Sequence, residues 1–243
     1  MQGTADRVET VAAAVLAVGA GAMALAEEVF RLTVWETWPA RLAILALLVV
    51  AAAWDLRTGL VPRFALWPLL AGAAGRAVAT LNAAGLAALV IALWDLRPKD
   101  RRVEALLHLA LVGGAVGVSA ATGDDVAILT TVAWLAMYRM WRANWFGGGD
   151  AMLIIGLTGL YPATGTLVAI GVGWLVVGLV QMARVYGRAF VPALYNALAR
   201  TASPRPVPRE RLEEEGVPMA AGIALGWAVL VALDLLGKLP GGA

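Results

Sequence analysis

The chain contains no cysteine. That excludes disulfide staples, thiolate metal sites and a cysteine nucleophile. Histidine occurs once, as His108, near the start of an apolar run. One imidazole cannot assemble a metal site alone, and no Ser–His or Cys–His pairing stands out. His108 therefore reads as a packing or interfacial residue, and neither a metal nor a cofactor is expected. Charge is sparse as well. Asp, Glu, Lys and Arg make up 15% of the 243 residues, and the formal net charge is +2. No nucleic-acid partner is expected. The alternation of a β-barrel strand is missing too, which leaves helices as the spanning structure.

What is present is apolar. Hydrophobic residues are 61% of the chain and the mean hydropathy is +0.78, the composition of a multi-pass membrane protein. A spanning helix needs about 20 residues, so about nine spans consume most of the chain and no large soluble domain fits. The expected fold is all-α: one membrane-embedded domain over residues 1–243, in a cell (inner or plasma) membrane, with residues 184–216 as a cytoplasmic loop. Apolar runs cover 8–26, 41–54, 64–94, 104–121, 126–141, 151–161, 166–185 and 217–236. Ala22 to Ala26 imitates a signal-peptide cleavage site, but Asp6 and Glu9 make the preceding region acidic, so the first run is expected to be a retained span. The run 64–94 is interrupted by Arg76 and by Thr80-Leu81-Asn82. It is either one long tilted helix or two short spans with a turn near Asn82.

Basic residues decide between these. With two spans in 64–94 and the N-terminus in the cytoplasm, 15 of the 19 Lys and Arg lie on the cytoplasmic side. Only Arg31, Arg41, Arg76 and Lys238 fall outside. With one span the clusters 57–63 and 97–102 land on opposite faces and the bias largely collapses. The positive-inside tendency therefore favours nine segments, N-terminus in and C-terminus out.

The same topology places two acids on one face. Asp55 closes an inward-going span, and Asp150 opens an outward-going one behind Gly147-Gly148-Gly149. Three glycines let a backbone turn sharply and approach another chain closely. A carboxylate at a membrane helix end is a functional candidate, although Asp also serves as a helix N-cap. Two aspartates can hold one water between them. One acts as general base on the water, and the other, protonated, donates to a scissile carbonyl.

These motifs carry a family resemblance. Asp55-Leu56-Arg57 with Val61-Pro62 resembles the first catalytic motif of type IV prepilin peptidases and archaeal preflagellin peptidases. Gly147-Gly148-Gly149-Asp150 resembles their Gly-x-Gly-Asp motif, and 216–226 resembles their last helix. The resemblance implies an integral-membrane aspartic endopeptidase with Asp55 and Asp150 as catalytic residues. Arg57, Pro62, Gly147 and Gly149 would be its supporting motif residues. Its partners would be a pilin-like precursor, cleaved at a short basic leader on the cytoplasmic face, and membrane lipid.

The chain departs from the family in three ways. It has neither the methyltransferase region with paired cysteines nor that insertion, so peptidase activity without N-methylation is expected. Four spans separate Asp55 from Asp150, where the family has two. Trp94-Asp95-Leu96-Arg97 repeats Trp54-Asp55-Leu56-Arg57; Asp55 is preferred because Asp95 lacks the aliphatic-Pro pair. A non-catalytic subunit or degenerate homologue that keeps the fold is the alternative. A transporter is a weaker one, since the acids sit at helix ends. Trp54 and Trp145 are expected to shape a substrate groove. Asp124-Asp125 and Glu213 to Glu215 read as solvated loops, and 190–199 as an interfacial amphipathic helix.

Overall fold

The computed structural model describes residues 2–30, 37–94, 100–123, 125–143, 147–162, 164–187, 190–191 and 219–236. Among the described residues there are nine α-helices and no strand. They are α1 (Gln2–Phe30), α2 (Trp38–Thr58), α3 (Arg63–Ala79), α4 (Ala83–Trp94), α5 (Arg101–Thr122), α6 (Val126–Arg142), α7 (Gly148–Leu160), α8 (Thr164–Tyr186) and α9 (Met219–Leu235). Outside the described residues lie Trp35, Asp95 with its repeat, Asp124, Trp145, Phe146, residues 192–215 and the Gly216-Val217-Pro218 start of the third motif.

Local chemistry explains the boundaries. Pro39 lies in the first turn of α2, where a missing N–H is harmless. Gly59 ends that helix in the left-handed region at φ 67, and its N–H donates to the Asp55 carbonyl at 2.7 Å. The 64–94 run is two helices, as the charge bias requires. Leu81 adopts φ 54, and the Asn82 side chain accepts the Gly85 N–H at 2.8 Å, satisfying a free donor at the start of α4. Asp100 does the same for Arg102 at the start of α5. Asp125, exposed at the start of α6, accepts from the Ser119 hydroxyl at 2.8 Å.

Four stretches are long and apolar enough to cross a membrane: Glu9–Glu27, Trp38–Thr58, Arg101–Thr122 and Thr164–Gln181. At most 22% of the residues in any of them are buried inside the protein. Their apolar side chains therefore face outward, as with Leu106 and Leu109 on α5 or Val168, Val172 and Leu175 on α8. An outward apolar surface of this kind suits lipid contact and not water. The helices Ala83–Leu93, Gly148–Leu160 and Met219–Leu235 are apolar but shorter than a full span. Two of these sit deep: α7 buries every residue from Leu153 to Leu160, and α9 buries Ile223, Trp227 and Val231.

Contacts along the chain show that the helices alternate in direction. Glu9 accepts the Arg63 N–H and Gly21 meets Ala71, so α1 and α3 run parallel. Arg76 at the end of α3 donates to the Leu160 carbonyl at the end of α7, so α7 joins them. Arg41 at the start of α2 pairs with Asp234 at the end of α9, an antiparallel contact. Glu104 with Arg139 and Ser119 with Asp125 set α5 against α6. Ala169 with Gly226 and Gly173 with Gly222 set α8 against α9. In the last pair, α-carbon approaches are so close that any side chain on Gly226 would overlap the Ala169 carbonyl, the close approach that small residues permit between membrane helices. The ends of α2, α6 and α8 and the starts of α1, α3, α5, α7 and α9 consequently share one face.

Several expected boundaries shift. Asp55, expected to close its span, lies in the last turn of α2, which continues to Thr58 until Gly59 stops it. Glu27, just past the first apolar run, is within α1 and buried. Gly148 and Gly149, expected in a loop, are helical, and Gly147 is the N-cap of α7.

Candidate active site

The first motif descends the last turn of α2 and turns back through residues 59–62. The Thr58 hydroxyl accepts from the Leu60 N–H and donates to the Trp54 carbonyl, at 3.3 and 2.9 Å, which closes the turn locally. Pro62 is buried and caps α3 with an extended backbone. Its pyrrolidine holds φ near the observed −73, so the direction in which the chain leaves Asp55 is set by covalent geometry. Arg57 is exposed in the last turn of α2.

The second motif starts α7. Gly147 has φ −68 and ψ 154, an extended conformation open to any residue. A sharp turn is therefore not what the glycines supply at that position. They supply room. A Cβ on Gly149 would stand 2.9 Å from the Val61 Cβ, and one on Gly148 would stand 3.1 Å from the Trp141 indole nitrogen. Both are tighter than ordinary carbon contacts of about 3.5–4.0 Å. The glycines thus let α7 start against the Val61-Pro62 corner of the first motif on one side and the end of α6 on the other.

This close approach brings the two aspartates together. Asp55 and Asp150 are near enough for their charges to interact, although 95 positions of sequence separate them. The backbone N–H of Ala220, in the first turn of α9, lies against the Asp55 carboxylate. That of Gly147 lies against the Asp150 carboxylate. Asp150 Oδ1 is buried and receives no hydrogen bond from the described residues. Asp150 is the third residue of its helix, and its carboxylate reaches back to the N–H of the N-cap Gly147, as in a capping box, which leaves Oδ1 unaccounted for.

All three sequence motifs meet here: residues 55–62, residues 147–150 and the start of α9. Gly149 and Pro62 build the corner, Gly147 lends its N–H to Asp150, and Arg57 stands at the exposed edge. Trp54 is 44% exposed and packs edge-on to Phe64 at 6.2 Å, beside the pair but open on one side. Asp95 and Trp145 lie outside the described residues. His108 packs edge-on against Tyr138 at 5.9 Å, the packing role expected of it. Among the described residues no three His, Asp or Glu side chains gather as metal ligands would.

Val61, already part of the first motif, is the surface that Gly149 needs. Two contributions were not singled out from sequence. Ala220 lends a backbone N–H, which no side-chain pattern records. Trp141 walls Gly148, and its signal was its place at the end of the helix preceding the glycines.

Comparison of the chain with family models, curated proteins and solved structures finds no match.

Proposed function

We propose that the protein is an integral-membrane aspartic endopeptidase that removes the leader of a type IV pilin-like precursor at the cytoplasmic face. The observation that carries this reading is the approach of Asp55 to Asp150, near enough for their charges to interact, at a corner where Gly149 packs on the Val61-Pro62 turn. Nine alternating helices in one membrane, N-terminus in the cytoplasm, put that corner on the face rich in arginine. Arg57, Arg63, Arg101, Arg102, Arg139, Arg142 and Arg184 stand at the helix ends there, while Arg41 and Arg76 stand at the opposite ends. This is the asymmetry of a cytoplasmic face.

The chemistry follows from the pair. One carboxylate takes a proton from water, and the resulting hydroxide attacks the scissile carbonyl carbon. The other carboxyl gives its proton to the carbonyl oxygen. The tetrahedral diol then collapses: a hydroxyl returns its proton to the second aspartate, the C–N bond breaks, and the amine leaves with the proton held by the first aspartate. The unpartnered Asp150 Oδ1 supports this assignment, since an acceptor already engaged by protein donors is a poor water ligand. The backbone N–H groups of Ala220 and Gly147 orient the carboxylates without supplying competing protons.

The test is incubation of the purified protein in detergent with pilin-like precursors, followed by mass measurement. Loss of a leader of defined length supports the reading. Intact precursors throughout favour a membrane subunit that keeps the fold without the activity.

A further inference from the structure

A second feature lies on the same face, away from the aspartates. The start of α5 and the end of α6 line an open cavity of about 330 Å³ formed by Arg101, Glu104, Arg139, Arg142 and Ala143. Three guanidinium groups face one carboxylate. Glu104 accepts from Arg139 at 2.8 Å and so neutralises one of the three. Asp100, the nearest acid in sequence, is turned to its own helix, where it accepts the Arg102 N–H at 2.8 Å. Among the described residues the lining thus holds three arginines and one glutamate. Arg142 is stacked over the Trp141 ring at 5.9 Å, which orients its guanidinium. Planar, oriented guanidinium groups around a concave site suit the oxygens of a phosphate.

The position selects among phosphates. α5 is one of the four helices long and apolar enough to cross a membrane, and its outer side is apolar at Val103, Leu106 and Leu109, directly beyond Arg101 and Arg102. A ligand with a phosphate at the cavity and acyl chains along that face satisfies both surfaces at once. We infer that the Arg101–Arg139–Arg142 cavity binds the headgroup of an anionic phospholipid. Glu104 tempers the site by pairing with Arg139. This inference rests on the membrane reading and not on the peptidase chemistry, since it uses neither aspartate.

The experiment is native mass spectrometry of the full chain in detergent, titrated with phosphatidylglycerol, with phosphatidylcholine of identical acyl chains, and with inorganic phosphate. Phosphatidylglycerol should stay bound in preference to both others. Arg101→Gln and Arg142→Gln should each weaken it about fivefold, the effect of one basic residue near an anionic lipid surface. Glu104→Gln should tighten it, because Arg139 is released to the headgroup. Opposite signs for Arg101→Gln and Glu104→Gln cannot arise from misfolding. Equal retention of phosphatidylcholine, inorganic phosphate binding as tightly as the lipid, or the same direction of change in both variants would overturn the inference.

Discussion

Gly149→Ala tests the corner on which the proposed active site depends. A Cβ there would lie 2.9 Å from Val61 Cβ and 3.0 Å from its Cγ2. An ordinary carbon contact is about 3.5–4.0 Å, so α7 and the Val61 corner must part by about half an ångström to one ångström. Val61 cannot swing away, because its Cβ is tied to backbone that leads straight into buried Pro62. Overpacking of this size destabilises by about 1–3 kcal/mol. In a chain of this length each kcal/mol lowers Tm by about 2–4 °C. The displacement falls one residue before Asp150, so it moves that carboxylate relative to Asp55. A misplacement of about 1 Å costs on the order of a hundredfold in rate. Activity should therefore fall much further than stability. Thermal unfolding in detergent and leader cleavage, measured on the same preparations, give the two values. Val61→Gly in the Gly149→Ala background removes the opposing Cβ and should restore part of both, a coupling that a double-mutant cycle isolates. Unchanged Tm and unchanged cleavage in Gly149→Ala would refute the reasoning, and so would additive effects of the two substitutions.

Three more outcomes are expected. Asp55→Asn and Asp150→Asn should each abolish leader cleavage while leaving Tm within a few degrees, since Asn keeps the volume but carries no exchangeable carboxyl proton; Asp95→Asn should cleave normally, and a dead Asp95→Asn beside an active Asp55→Asn would transfer the role to the repeat. Single cysteines are a clean topology probe in a chain that has none: replacements at Thr58 and Ala143 should react with an impermeant maleimide from the cytoplasmic face only, and replacements at Thr37, Leu81 and Thr122 from the opposite face only. Leu81 is the informative site in the α3–α4 turn because it is 83% exposed, whereas Asn82 is buried as a cap; labelling at 81 and 58 from the same side would overturn the alternating topology. Gly226→Ala should destabilise by at least about 1–3 kcal/mol, read as a lower Tm, because the added methyl meets the Ala169 carbonyl across the α8–α9 contact; a wild-type Tm would show that the two helices separate freely.

Some of this was written along the chain. Helical, apolar and multi-segment character follows from composition and run length, because backbone polar groups in an apolar phase must pair within their own segment. The break near Asn82 was legible from arginine positions alone, and Leu81 with the Asn82 cap realises it. The motif residues around Asp55 and Asp150 were legible as residue types.

Tertiary structure decided the rest, since those properties depend on residues far apart in sequence. Helix ends moved because a terminus is chosen by caps and neighbours: Gly59 stops α2 only after Asp55 is helical, and packing against Val61 and Trp141 draws Gly148 and Gly149 into α7. Which helices are short and central, α7 and α9, depends on the partners that bury them. The buried Glu27 and the ion pair of Arg41 with Asp234 were hidden for the same reason. So was the cavity where Arg101 faces Arg139 and Arg142, whose residues join only when α5 and α6 lie antiparallel. The sequence by itself determined which groups could do chemistry. Only the fold determined that Asp55 and Asp150 come near enough for their charges to interact, because charge interaction depends on distance through space, and Gly149 packs at that corner.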